Sequence, residues 1–157
     1  MLASEVSDME STRPARVLVI CDRLPLAPAL LQAMGARADA GTTQFRLVIT
    51  NPAHAEAHLL HPERHDKAAE AEHVLHRSLP DMEIAVGGPI IGSVSNRHDP
   101  MDAVEEVLFS QPMDELIVCV EPHRLGTLTH QDLAHRLRHF RLPITTVEPS
   151  GRQAVGL

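Results

Sequence analysis

The stretch Met113–Val147, MDELIVCVEPHRLGTLTHQDLAHRLRHFRLPITTV, decides the fold. Leu116 to Val120 is a continuous apolar run, the pattern of a strand covered on both faces. A polar loop, Glu121 to Gly126, follows it. Thr129 followed by Asp132 has the form of a helix N-cap with its capping partner. Leu133, Ala134, Leu137 and Phe140 then recur at helical spacing, with His135, Arg136, Arg138 and His139 around them. Pro143 stops that helix, and Ile144 to Val147 is a short β-branched strand. Strand, helix and strand in this order make one βαβ unit, with two parallel strands and a right-handed crossover. Open α/β sheets bind ligands in the loops at the C-terminal ends of their strands. A small-molecule site is therefore expected along Glu121 to Thr129.

Outward from this unit the same alternation continues. Residues 1–13 form a polar, acidic tail with little to bury. Arg16 to Cys21 is a buried first strand ending at Asp22, and Pro25 and Pro28 stand where a helix begins. Leu26, Leu30, Met34 and Ala38 mark its apolar face, with Gly41 as its stop. Phe45 to Thr50 (FRLVIT) is a second strand. His54 to Leu79 predicts one or two helices around Pro62, and Met82 to Val86 a third strand ended by Gly87-Gly88-Pro89. Pro89 to His98 is expected to be loop. Asp99 at the N-cap, Pro100 at the first helical position and Asp102 near the positive dipole end open another helix. Its core-facing residues are Met101, Val104, Val107 and Leu108. The chain closes with a polar tail, residues 149–157. Strands and helices alternating in this way call for one α/β domain, residues 14–148, with a doubly wound parallel sheet and helices on both faces.

Composition narrows the function classes. The chain has 157 residues, 43% of them hydrophobic, and no apolar run of membrane-helix length, so no membrane partner is expected. Met1 to Thr12 is short, polar and acidic, which predicts a cytoplasmic protein. The net charge of −7 and the scattered basic residues argue against nucleic acid, which needs clustered Lys and Arg. Three Phe with no Trp or Tyr leave few stacking platforms for single strands. Two cysteines make no disulfide framework.

The order of elements resembles the universal stress protein family over residues 14–148. Val19-Ile20-Cys21-Asp22 is similar to the end of that family's first strand, whose acidic residue contacts adenine. Asp99-Pro100 resembles its Asp-Pro step, with His98 where Gly is usual. Asp114 to Val118 resembles its fourth strand and Leu142 to Val147 its closing one. The resemblance implies a five-stranded sheet of order 3-2-1-4-5 and a crevice lined by Asp22, Asn51, Asp99, Glu121, His123, Arg124, Gly126 and Thr129. It also implies an adenine nucleotide, ATP or AMP, as the ligand. ATP-binding members carry a run of spaced glycines after the fourth strand, ending in Gly followed by Ser or Thr. These let backbone amides approach the phosphates. Here Gly126 is the only glycine between Glu121 and Phe140, so that cradle is eroded. His123, Arg124 and the helix capped at Thr129 can still meet an anion. The plainer reading is a loop that merely connects strand to helix.

Other groupings are weaker. His54, His58, His61 and His65 are spaced to share one helix face, extended by His73 and His76, and imidazoles at such spacing can hold zinc or nickel. Pro62 interrupts the row and no HExxH supplies a base, so solvated surface histidines are expected instead. If strands one and four are neighbours, as the family fold implies, the sulfurs of Cys21 and Cys119 lie close. Their apolar company predicts reduced packing thiols rather than a redox pair. No Gly-x-Ser-x-Gly elbow, Walker loop or GxGxxG is present, and nothing in the spacing requires Asp22 and His123 to meet as an acid/base pair. The expected function is a non-catalytic stress-response or regulatory module that binds an adenine nucleotide or another anion weakly. Slow nucleotide hydrolysis and histidine-based metal binding are the alternatives. Ile144 to Val147, an uncharged edge strand, is the expected seam of a homodimer, and the alternative is a monomer whose edge the Gly151–Leu157 tail covers.

Overall fold

Val17 to Cys21 is buried throughout, and the sheet is assembled on both sides of it. The structure, a computed structural model, describes residues 13–50, 64–97, 99–120, 140–149 and 153–154. In chain order the elements are β1 (Ala15–Cys21), α1 (Pro28–Ala40), β2 (Thr43–Ile49), α2 (Arg64–Val86), β3 (Ile90–Val94), α3 (Pro100–Ser110), β4 (Glu115–Cys119), β5 (Ile144–Val147) and β6 (Gln153–Ala154). The strand order is β3-β2-β1-β4-β5-β6. The first five run parallel, in the expected order 3-2-1-4-5, and β6 pairs antiparallel with β5.

Strand alternation sorts the side chains onto two faces. Val17, Val19 and Cys21 of β1, with Phe45, Leu47 and Ile49 of β2, pack under Leu30 and Met34 of α1 and Leu75, Met82 and Val86 of α2. Leu18 and Ile20 of β1, Val48 of β2, and Leu116 and Val118 of β4 pack under Met101, Ala103, Val104 and Val107 of α3. Each fully buried side chain of this kind contributes about 1.5–3 kcal/mol, so the two faces together drive the fold.

Polar contacts fix the register at the N-terminal edge. The Arg16 N–H donates to Asp114 Oδ2 at 2.8 Å, and the Asp114 N–H donates to the Arg16 carbonyl at 2.8 Å, which locks the start of β1 to that of β4. The Arg37 guanidinium reaches across from α1 to Glu115, with Nε 2.8 Å from Oε2 and Nη2 2.7 Å from Oε1. This two-pronged pairing holds Arg37 above its ordinary value. At α3, the Asp99 carboxylate accepts from the Met101 N–H at 2.9 Å and Pro100 occupies the first turn, as its sequence predicts.

The third strand lies elsewhere than expected. Met82–Val86 is the last part of α2, which runs through Pro80, and β3 falls in the Ile90–Val94 segment expected to be loop. The reason is periodicity. Leu75, Leu79, Met82 and Val86 continue one helical stripe against the sheet, whereas Ile84, which a strand would align with Met82 and Val86, is 80% exposed. Gly87 ends this helix and not a strand: its φ is +83°, and its N–H donates to the Glu83 carbonyl at 2.8 Å.

The edge expected to carry self-association is also occupied. β6 lies outside β5, with Thr146 opposite Ala154 and Val147 opposite Gln153. At the opposite edge Gly92 permits α2 to sit directly on β3: a Cβ there would meet Leu79 Cδ2 at 3.2 Å and Leu75 Cδ1 at 3.3 Å. Gly92→Val is therefore expected to lower stability by about 1–3 kcal/mol through overpacking, read as a reduced urea midpoint with an unchanged slope. An unshifted midpoint would mean that α2 is not seated on this strand.

Candidate functional site

Strand order reverses between β1 and β4: β2 and β3 continue on one side, and β5 and β6 on the other. A doubly wound sheet opens its ligand crevice at such a switch point, outside the strands' C-terminal ends. Cys21 pairs with Cys119 there, so Asp22 and Val120 are the first residues beyond the two strands. Asp22 is 4% exposed, and its Oδ1 lies 3.5 Å from Nε of the half-exposed Arg23. Thr50, at the end of β2, is tied to the same point. Its N–H donates to the Cys21 carbonyl at 2.8 Å and its buried hydroxyl to the same oxygen at 3.4 Å. Asp22, Thr50 and Val120 thus stand side by side at three adjacent strand ends.

Of the other crevice candidates, Asn51, Glu121, His123, Arg124, Gly126 and Thr129 lie outside the described residues, as does the helix expected after Thr129. Asp99 is placed, and its Oδ1 is engaged in capping α3. His54, His58 and His61 also fall outside the described residues, while His65 belongs to the first turn of α2 and His73 and His76 are exposed further along it. Among the described residues no group of three or more His, Cys, Asp or Glu is arranged to hold a metal ion. No helix among them is long and apolar enough to cross a membrane.

Cys21 and Cys119 form no disulfide, are buried and stand directly opposite each other in the β1–β4 ladder. Burial, reinforced by Cys119 and Asp22, pushes the Cys21 thiol far above its ordinary value of 9.0, against a smaller opposing effect of the Arg23 backbone. A thiolate nucleophile is not available at neutral pH in such a setting. In the unfolded chain this thiol ionises near its ordinary value, while in the folded chain it stays protonated. Its contribution to stability is therefore complete below about pH 9 and declines above it, by up to about 1.4 kcal/mol per pH unit. Between about pH 8 and about pH 10, the wild type should lose on the order of 1 kcal/mol more than Cys21→Ala in urea unfolding. Equal losses would show that the thiol is not shielded.

A second concavity has no counterpart in the sequence reading. A groove of about 430 Å³ runs between α3 and the β2–β3 pair, lined by Arg46, Ser93, Ser95, Asn96, Arg97 and Glu106 among others. A smaller hollow of about 200 Å³ shares Arg46 and includes Arg16 and Ile91. Arg46 is in the middle of β2, where its neighbours Phe45 and Leu47 turn to the opposite face. Burial lowers its guanidinium from the ordinary value. The signal for this groove in the sequence is one cation inside the apolar run FRLVI.

Compared with known protein families and with curated proteins, the chain matches none.

Proposed function

We propose that this chain is a non-catalytic regulatory module of the universal stress protein type, which binds an adenine nucleotide weakly at the β1–β4 switch point. The observation that carries the reading is the buried Asp22 carboxylate at the end of the central strand, beside Thr50 and Val120, where the strand order reverses. A carboxylate there suits the amino edge of adenine, which donates hydrogen bonds. The sequence lacks the spaced glycines that would bring backbone amides to the phosphates, so the base supplies most of the recognition.

The expected affinity follows from that loss. Each charge-assisted phosphate contact is worth about 1.5–3 kcal/mol, so two absent contacts cost roughly two to four decades. Calorimetric titration should give ATP and AMP affinities weaker than micromolar and similar to each other, and Asp22→Ala should weaken both about tenfold or more. ATP binding far tighter than AMP would show an intact phosphate cradle, and an unaffected Asp22→Ala variant would place the base elsewhere. Slow hydrolysis would appear as ADP formation that Asp22→Ala abolishes, and a metal-binding role as zinc heats in the metal-stripped protein.

The same proposal includes a homodimer through Ile144 to Val147, in which a partner strand replaces β6 on the β5 edge. A dimer in sedimentation velocity that Thr145→Pro converts to monomer is the expected result. A wild type that stays monomeric at tens of micromolar would mean that β6 keeps the edge.

A further inference from the structure

Arg46 presents donors to a groove, and among the described residues only one of its nitrogens meets an acceptor. On β2 it alternates with Phe45 and Leu47, so it projects from the α3 side of the sheet, opposite Ile91 of β3 in the register. Its Nη1 donates to the carbonyls of Leu47 at 3.2 Å and Ile91 at 3.3 Å, which pins the side chain across the two strands. Among the described residues Nε and Nη2 have no acceptor and no carboxylate pairs with the guanidinium. That edge is the planar two-donor fork that accepts two oxygens of one anion. A half-buried cation left without an anion is costly, and a bound one would offset the cost.

The surroundings suit such a ligand. Ser93 and Asn96 line the groove, and their side chains make no hydrogen bond to the described residues. Glu106, the one acidic residue among the described residues of the wall, is already engaged by Arg97, whose Nε lies 3.2 Å from Oε2. Both partners of this pair are more than half exposed, so it is worth little and Arg97 is free to turn toward a ligand. At about 430 Å³ the groove is within the range of small-molecule sites. It is built from β2, β3 and α3, and of the two crevice candidates among the described residues, Asp22 and Asp99, neither lines it.

We propose that this groove is a second ligand site, which binds a small oxyanion through the Nε/Nη2 edge of Arg46 with Ser93, Asn96 and Arg97 around it. The two chemical sources of such an oxyanion are a carboxylate and a phosphate monoester. Inorganic phosphate and acetate, added separately to the ¹⁵N-labelled full chain at fixed ionic strength, distinguish them. The expected result is saturable amide shifts at Ser93, Ser95, Asn96 and Arg97 with at least one of the two anions. Arg46→Lys, which keeps the charge but loses the fork, should weaken binding about tenfold, and Arg46→Met should abolish it. Ser93→Val supplies a variant whose fold does not depend on the arginine, and it too should weaken binding. Linear, non-saturating shifts with both anions would overturn the proposal. So would identical titrations of wild type, Arg46→Lys and Ser93→Val, or saturable shifts confined to Asp22, Thr50 and Val120.

Discussion

The structure depends on β1 being satisfied on four sides at once. Its two backbone edges pair with β2 and β4, and its two faces pack against α1 and α2 on one side and α3 on the other. A strand in that position has no room for a polar side chain, and Val17 to Cys21 contains none that is ionised. The first residue free to be charged is the one beyond the strand, Asp22. The same constraint that forces β1 to be apolar thus places its first carboxylate at the switch point. The crevice of such a sheet opens at its rim, outside the C-terminal ends of the strands.

How much of this was legible in the sequence follows from the kinds of signal available. β1, β2 and β4 are apolar runs bounded by polar residues, and they fall within one or two residues of their expected limits. The Asp99–Pro100 start of α3 combines a capping side chain with a residue that lacks the N–H a helix leaves unpaired, and both effects are local. β3 was not legible. Its sequence IIGSV has one buried residue, one exposed isoleucine and a glycine whose purpose is to admit Leu75 and Leu79 from a helix distant in sequence. Met82–Val86 imitated a strand because Met82, Ile84 and Val86 alternate, while the stripe that prevailed includes Leu75 and Leu79 upstream. Tertiary packing decided between two periods that the local sequence carried equally.

The two candidate sites differ in the same respect. Asp22 was legible because it terminates an apolar run at the place a parallel sheet binds ligands. Arg46 was not, since an arginine within a strand gains meaning only when the opposite strand and helix are known. In the structure its carbonyl partners come from β2 and β3, and α3 supplies the facing wall. Nothing in FRLVIT specifies either. The polar lining around it, Ser93 to Arg97, fell in the segment expected to be loop, so the missed strand and the missed groove are one omission.

The central claim is that the rim beside β1 recognises the base of a nucleotide and that phosphate adds little. Adenosine tests this directly, because it carries no phosphate for Arg46 to attract. In an amide chemical-shift titration the account predicts saturable shifts centred on Asp22, Thr50 and Val120, with Ser93 to Arg97 unmoved. Shifts that never saturate, or that spare these three strand ends, would contradict it.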